Sequence, residues 1–350
     1  MFSSVRHILP ITVIRRERYL PVPGKVLVRT QQKVAASDTV AEANVHPELL
    51  ILEVGKGLGM PPEKADSHIQ CRAGDQLVEG DIVAGPVGFT RRLIRSPRDG
   101  KVILVGNGQI LIELSTKNYM LKAGLPGTVM ELISDKGVII ETTGALIQGV
   151  WGNGRIDTGV MARLPIESDQ TITTSNIDIS LRGIVVLAQH CQDQQALRFA
   201  EELPLRGLIL ASMLPDLIPI AMKLQLPIIV IEGFGNRRFN GLTEKLLATN
   251  ENREVAVNAE SWNQYTAARP EIVIPLPATS SLTTPQVETS LTSGRRVHIL
   301  RAPYLGEIGT IKKIIGITEF PGGVKAPGAE VLLESGKIQI FPIANLELLA

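Results

Sequence analysis

Two stretches of this 350-residue chain carry side chains typed and spaced for chemistry. The first comprises Gln189-His190-Cys191, Ser212 and the run Glu232-Gly233-Phe234-Gly235-Asn236-Arg237-Arg238. His190 beside Cys191 offers a base next to a thiol. Neighbours in a strand point to opposite faces, however, and a nucleophile needs its base within hydrogen-bond reach. Glu232 has the chemistry of an acid or base, but no second carboxylate is placed near it by sequence. Its plainer role is to cap the following helix or to pair with Arg237. Gly233 and Gly235 allow close backbone approach, and Arg237 and Arg238 supply forked donors for an anion. Gln189, Ser212, Glu232, Asn236, Arg237 and Arg238 are therefore the expected small-ligand residues. The second stretch is Gly294–Ile314, in which Arg295, Arg296, Arg301, Tyr304, Lys312 and Lys313 point outward to a partner. No catalytic constellation, metal-ligand cluster or cofactor motif can be assembled from the sequence.

The elements that must position the first stretch lie in 178–275. Apolar runs at Arg182–Ala188, Arg206–Ala211, Pro227–Ile231 and Glu254–Val257 read as buried strands. Between them, Gln192–Leu203 places Ala196, Phe199, Ala200 and Leu203 on one helical face. Asp216–Leu224 does the same with Leu217, Ile220, Ala221 and Leu224, and Asn240–Ala248 is a third helix. Such alternation predicts a parallel sheet covered on both faces, with ligands beyond the carboxyl ends of its strands. The loop after the third strand lacks the dinucleotide fingerprint.

Around this α/β domain the chain reads as β-rich. Residues 1–120 carry short β-branched runs separated by Gly, Pro and Asp. Gly74-Asp75 and Gly80-Asp81 are turn pairs six residues apart, and Asp99-Gly100 predicts a hairpin turn. Residues 121–177 are a glycine-rich β connection with a hairpin at Asp135-Lys136-Gly137. Its Gly149, Gly152, Gly154 and Gly159, around Trp151 and Arg155, lack the Lys-Ser/Thr ending of a phosphate loop, which favours tight β connections. Ser-, Thr- and Pro-rich residues 276–293 form a linker, and 294–350 a small β-barrel.

Composition narrows the classes. Apolar residues make up 44% of the chain, enough for real cores. A net charge of +1 and 4% aromatic residues argue against wholesale polyanion binding and base stacking. Local basic clusters remain: residues 1–33 hold seven Lys/Arg against one Glu, and Arg91, Arg92, Arg95, Arg98 and Lys101 surround Asp99. Runs of this kind are usually solvated faces. Cys71 and Cys191 are too far apart to suggest a disulfide framework. The apolar run Ile8–Ile14 contains Pro10 and precedes its basic cluster, unlike a secretory signal, and prolines and charges break Gly207–Gly233. The expectation is a cytoplasmic protein with no membrane contact.

Two resemblances follow from these residues. "AGDQLVEGDIVAG" with "IRSPRDGKVILVGNGQILIEL" resembles a barrel-sandwich hybrid, the fold of biotinyl and lipoyl carrier domains. Its turn region Gly85–Arg92 has no lysine and Lys101 is misplaced, which implies a structural module without a carrier arm. "GRRVHILRAPYLGEIGTIKKI" resembles the KOW motif of ribosomal proteins and NusG-type transcription elongation factors. The matching features are Gly294, Val297, Ile299, Ala302-Pro303-Tyr304, Gly306, Gly309 and Ile311. That resemblance implies an SH3-like barrel that binds protein or RNA. Residues 294–350 hold seven Lys/Arg and five Glu, a net of +2, which suits a protein at least as well as RNA. The glycine- and proline-rich run Gly316–Gly328 reads as a long loop with Phe320 at its tip.

The resulting expectation is an α+β multidomain, non-enzymatic interaction or scaffold protein. It has a barrel-sandwich-like module, a central α/β parallel-sheet domain and a C-terminal SH3-like barrel presented to a protein or RNA partner. The alternative is a small-ligand sensor using the strand-end loops of the α/β domain.

Overall fold

The computed structural model describes residues 5–44, 48–88, 91–114, 118–164, 171–263, 268–277 and 290–349. The chain is strand-rich, with several sheets. It divides into two compact units: Met1–Tyr19, Leu27–Val40 and Lys122–Ala350 form one, and Leu20–Val26 and Ala41–Leu121 the other. Residues 1–120, read from sequence as one module, are thus shared between both. The cause is the strand Ile8–Tyr19, which pairs along its length with Gly137–Gln148 of the larger unit. The linker expected over 276–293 lies largely outside the described residues.

A 12-stranded sheet is the frame of the larger unit. Ile156–Arg163, Ile184–Cys191, Gly207–Met213 and Ile228–Phe234 run parallel in that order. Alternate side chains of the strands fill two cores. Val185, Leu187, Ile209, Ala211, Ile229 and Ile231 lie on one face, and Val186, Ala188, Leu208, Leu210, Ile228 and Val230 on the other. Helix Gln194–Glu202, capped by Asp193, covers the second face with Ala196, Leu197 and Ala200. Helix Gly241–Thr249 lays Leu246 and Leu247 on the first. The helix expected over Asp216–Leu224 is reduced to a 3-10 turn, Pro215–Leu217, and one helical turn, Ile218–Ala221. Pro215 and Pro219 each lack an N–H to continue a ladder.

The sheet is mixed, not parallel throughout. Ile156–Arg163, from the glycine-rich stretch, takes the parallel slot beside Ile184–Cys191. Glu254–Asn258 therefore enters on its far side, antiparallel, and Glu271–Pro275 and Gly137–Gln148 continue antiparallel. Trp151-Gly152 pairs with Ile228–Phe234 at the other edge. A Cβ on Gly152 would strike the backbone of Ala259, so this glycine serves close strand approach. Asn153 ties the turn down: its side chain donates to the Ala221 and Leu226 carbonyls and accepts from the Ile228 amide. These contacts support the tight-connection reading over a phosphate cradle.

A second, six-stranded sheet belongs to the same unit. Its order is Val5-Arg6, Leu346–Leu349, Arg296–Ile299, Ile308–Phe320, Val324–Leu333, Ile338–Pro342. Val297, Ile299, Ile311, Ala329, Val331, Phe341 and Leu346 form its core. Ile308 and Leu349 reach instead into the first core of the 12-stranded sheet, so the two sheets are packed together. The run Gly316–Gly328, expected as a loop, is a β-hairpin. Ile308–Phe320 and Val324–Leu333 stay paired out to Phe320 and Val324. Two register shifts, at Ile311/Lys313 and Ile315/Ile317, bend the ladder without breaking it.

In the smaller unit the strands Leu49–Glu53, Gln109–Leu114, Gly100–Gly106 and Gln76-Leu77 form a sheet over Val54, Leu58, Val83, Val102, Ile110 and Ile112. The two Gly-Asp pairs are turns: Asp75 accepts from the Arg72 amide and Asp81 from the Val78 amide, with Gly74 and Gly80 at positive φ. Asp99-Gly100 is not a hairpin. Arg92–Arg95 pairs with Ile82–Val87, and the Asp99 carboxylate accepts from the Glu79 amide. The hairpin turn is Asn107-Gly108, with φ of 53° and 67°, the left-handed pair that a two-residue loop demands. Among the described residues no helix is long and apolar enough to cross a membrane.

Candidate functional site

The parallel strands bring the first group of candidates together, at the carboxyl end of the sheet. His190 lies in register with Ser212, and Ser212 with Gly233. Gln189, His190, Ser212 and Glu232 are all buried. Their polar atoms bond to the loop that follows Glu232. Ser212 Oγ lies 2.6 Å from His190 Nδ1 and 3.0 Å from the Arg237 carbonyl oxygen, and it accepts from the Arg237 amide at 3.0 Å. Gln189 Oε1 accepts from the Phe239 amide, and the Arg237 guanidinium donates to the Glu232 carbonyl. Glu232 Oε1 accepts from both the amide and the side chain of Asn240, whose own Oδ1 caps the helix at Leu242 and Thr243. Glu232 thus neither caps the helix itself nor pairs its carboxylate with Arg237; it orients Asn240, which caps, and its ionic partner is Arg6. Asn236 and Arg238 are exposed and Arg237 is half-buried. The sheet end is closed by its own loop. A cavity of about 350 Å³ lies elsewhere, around Pro23–Lys25 and Glu42–Asn44 of the smaller unit, and none of these residues lines it.

His190 and Cys191 diverge as strand neighbours do. Cys191 sits in the second core, and burial pushes its thiol up to about 12. A thiol held there is protonated at neutral pH and is a poor nucleophile.

Glu232 belongs to a buried network with Arg6, His298, Glu347 and Arg269, which no spacing in the sequence announces. Arg6 is fully buried; it donates to the Ile231 carbonyl at 2.8 Å and to Glu232 at 3.4 Å. Its Nε lies 3.2 Å from Glu347, and Arg269 lies 2.7 Å from the other Glu347 oxygen. His298 stands between the carboxylates, with Nε2 3.8 Å from Glu232 and Nδ1 3.8 Å from Glu347. Burial pushes the Glu347 carboxyl up, but His298, Arg6 and Arg269 outweigh it and hold the group at about 2. The two arginines are at bonding distance and His298 is not, so the guanidiniums are the firmer cause. Arg6 and His298 come from the six-stranded sheet and Glu232 from the 12-stranded one. The cluster therefore crosses the seam between the sheets, sealed from water. Among the described residues no three His, Cys, Asp or Glu side chains gather as metal ligands would.

The second group of candidates does not form one patch. Arg296 pairs with Glu334 at 2.7 Å, in register with Thr310, while exposed Arg301 lies past the far end of the strand Arg296–Ile299. Arg295 is half-buried. Tyr304 packs edge-on against Phe341, ring centroids 5.5 Å apart, and so faces inward. Lys312 and Lys313 are exposed, and Lys313 lies opposite Glu330. In the smaller unit Arg95 donates to the Gly80 carbonyl and Arg98 is bridged to Glu48.

The sequence reading also missed an apolar feature. On the hairpin, Val324, Glu330, Leu332, Ile338 and Ile340 share the face turned away from the sheet's core. On that face Val324 is 59% exposed, Ile338 57% and Ile340 42%. The signal was visible as alternation in "KIQIF" and "VKAPGAEVLL", but alternation alone does not say which face lacks a cover. The chain matches no known family model, and no curated protein shows significant similarity to it.

Proposed function

We propose that the protein is a non-enzymatic interaction protein that presents its C-terminal sheet, in the manner of a KOW-like SH3-type barrel, to a protein partner. The observation that carries this reading is the set of exposed apolar side chains on one face of the hairpin and its neighbouring strand, Val324, Ile338 and Ile340, beside the opposed pair Lys313 and Glu330. Exposed apolar surface of this kind marks interaction sites, and a nearly neutral charge balance favours protein over phosphate backbone. The lysine-free turn of the smaller unit suits a structural, barrel-sandwich-like role. Gln189, Ser212 and Glu232 are buried and each is bonded to the segment 237–240, which favours this reading over a ligand sensor.

The test is affinity retention from source-cell lysate with wild type and with Val324→Asp. Wild type is expected to retain a defined protein that the variant loses while its circular dichroism is unchanged. Equal retention by both would refute the reading, and retention of nucleic acid that falls steeply with salt would replace the protein partner with RNA.

A further inference from the structure

The strand Ile338–Pro342 closes one edge of the six-stranded sheet. Its register with Val324–Leu333 is unbroken over five pairs. The Leu333 amide donates to the Lys337 carbonyl at 2.8 Å. In an antiparallel ladder the hydrogen-bonded pairs alternate, so Gln339 and Phe341 also face the neighbouring strand. The backbone groups of Ile338 and Ile340, and the carbonyl of Pro342, then point outward, where no strand among the described residues pairs with them. Pro342 has no N–H to lose there.

Other edges of this unit are blunted. Val5-Arg6, Trp151-Gly152 and Lys33-Val34 are two residues long. Ile8–Tyr19 is long but carries Pro10, a register shift and Arg15-Arg16-Glu17-Arg18. These are the usual devices against edge pairing. Ile338–Pro342 has none inside it: no charge, no bulge, and proline only as its final residue.

We propose that this edge pairs with the same edge of a second copy of the chain, antiparallel about a two-fold axis at Ile340. The segment is self-complementary in that register. Ile340 meets the partner's Ile340, Ile338 meets the partner's Pro342, and Gln339 meets the partner's Phe341. Lys337 falls opposite the partner's Ile343, so no like charges face each other. Four outward backbone bonds form, and only the Ile338 carbonyls, opposite Pro342, stay with water. The two Ile340 residues exchange both backbone bonds, and each Ile338 amide reaches the opposite Pro342 carbonyl. The opposite edge of the sheet is the two-residue Val5-Arg6, with Arg6 fully buried, so the contact closes at two copies and does not propagate into a fibre. This inference rests on the C-terminal sheet being an interaction surface.

Sedimentation of the full chain, from low micromolar to its highest soluble concentration, tests it. The expected species has twice the 37.9 kDa chain mass. Ile340→Lys places two ammonium groups face to face and is expected to give monomer. Glu330 beside it in register can accept the new charge, so the fold is expected to persist. Ile340→Cys with a short bismaleimide is expected to cross-link two chains, and Val324→Cys, six residues along its strand from the partner of Ile340, is not; the native thiols are buried and add no background. Monomer at every concentration would overturn the proposal. So would a dimer that survives Ile340→Lys and fails to cross-link through Ile340→Cys. A monomer whose partner retention still depends on Val324 would sink the pairing and leave the proposed function standing. A dimer with no retained partner would do the reverse.

Discussion

Glu347 pairs with fully buried Arg6 and half-buried Arg269. Among the described residues, replacing it by glutamine leaves Arg6 with only Glu232 at 3.4 Å as a counter-charge and Arg269 with the Trp262 ring, and the expected loss is about 3 kcal/mol in urea unfolding. The same residue sets an acid dependence. Its carboxyl is at about 2 in the fold and near 4.5 when free, so its contribution is full above pH 4.5 and is lost as pH falls toward 2. That gap corresponds to about 3 kcal/mol. Unfolding midpoints between pH 6 and 2 should fall in wild type and fall less in Glu347→Gln; parallel curves would refute the assignment. Ser212 belongs to the same scale. Ser212→Ala removes the acceptor of the half-buried Arg237 amide, which costs about 1–3 kcal/mol. Hydrogen exchange at Arg237 is expected to quicken, while exchange in the strand Ile184–Cys191 stays slow.

Elements were legible in the sequence wherever their signal was local. The four apolar runs of 182–257 became strands within a few residues of their expected ends, because a buried strand is apolar regardless of its partner. Asn240 and Asp193 cap helices, as their residue types favour. The apolar spacing of Asp216–Leu224 predicts a longer helix than forms, because Pro215 and Pro219 interrupt its hydrogen-bond ladder. The Asp99-Gly100 hairpin failed for another reason: a turn-forming pair does not say which strands it joins, and Asn107-Gly108 was the better match. Gly108 supplies a prediction at this scale. A Cβ there would meet Pro62 Cα at 2.7 Å at a φ of 67°, so Gly108→Ala is expected to lower stability by more than about 1 kcal/mol. Thermal unfolding of the variant would show it as a shift confined to the smaller unit.

At the scale of the molecule the sequence was least informative. Arg6, Glu232, His298 and Glu347 lie up to 341 positions apart and carry no spacing that announces a cluster. Nor could periodicity reveal that Ile8–Tyr19 joins the sheet of Gly137–Gln148, or that one hairpin face stays bare. Two compact units with separate cores predict unfolding that is not two-state. Calorimetry is expected to give a van't Hoff enthalpy below the measured heat, with Glu347→Gln lowering only the transition of the larger unit. A single coincident transition would contradict this.

The parallel pairing of Val5 with Leu348 also sets an order of events. At 5–20 residues per second a ribosome needs on the order of 20–70 s to bring the second of these residues out after the first. Through that interval the Glu232 carboxylate is made, and its strand can pair, while Arg6 still waits for the strand Leu346–Leu349. Docking of Val5-Arg6 must close a loop of nearly the whole chain and bury a guanidinium in the same step, so it is expected to come last and slowly. Newborn chains will then pass through a long-lived form in which the C-terminal sheet lacks its amino-terminal strand, and it is at that stage that both edges of the sheet are open to the wrong neighbour.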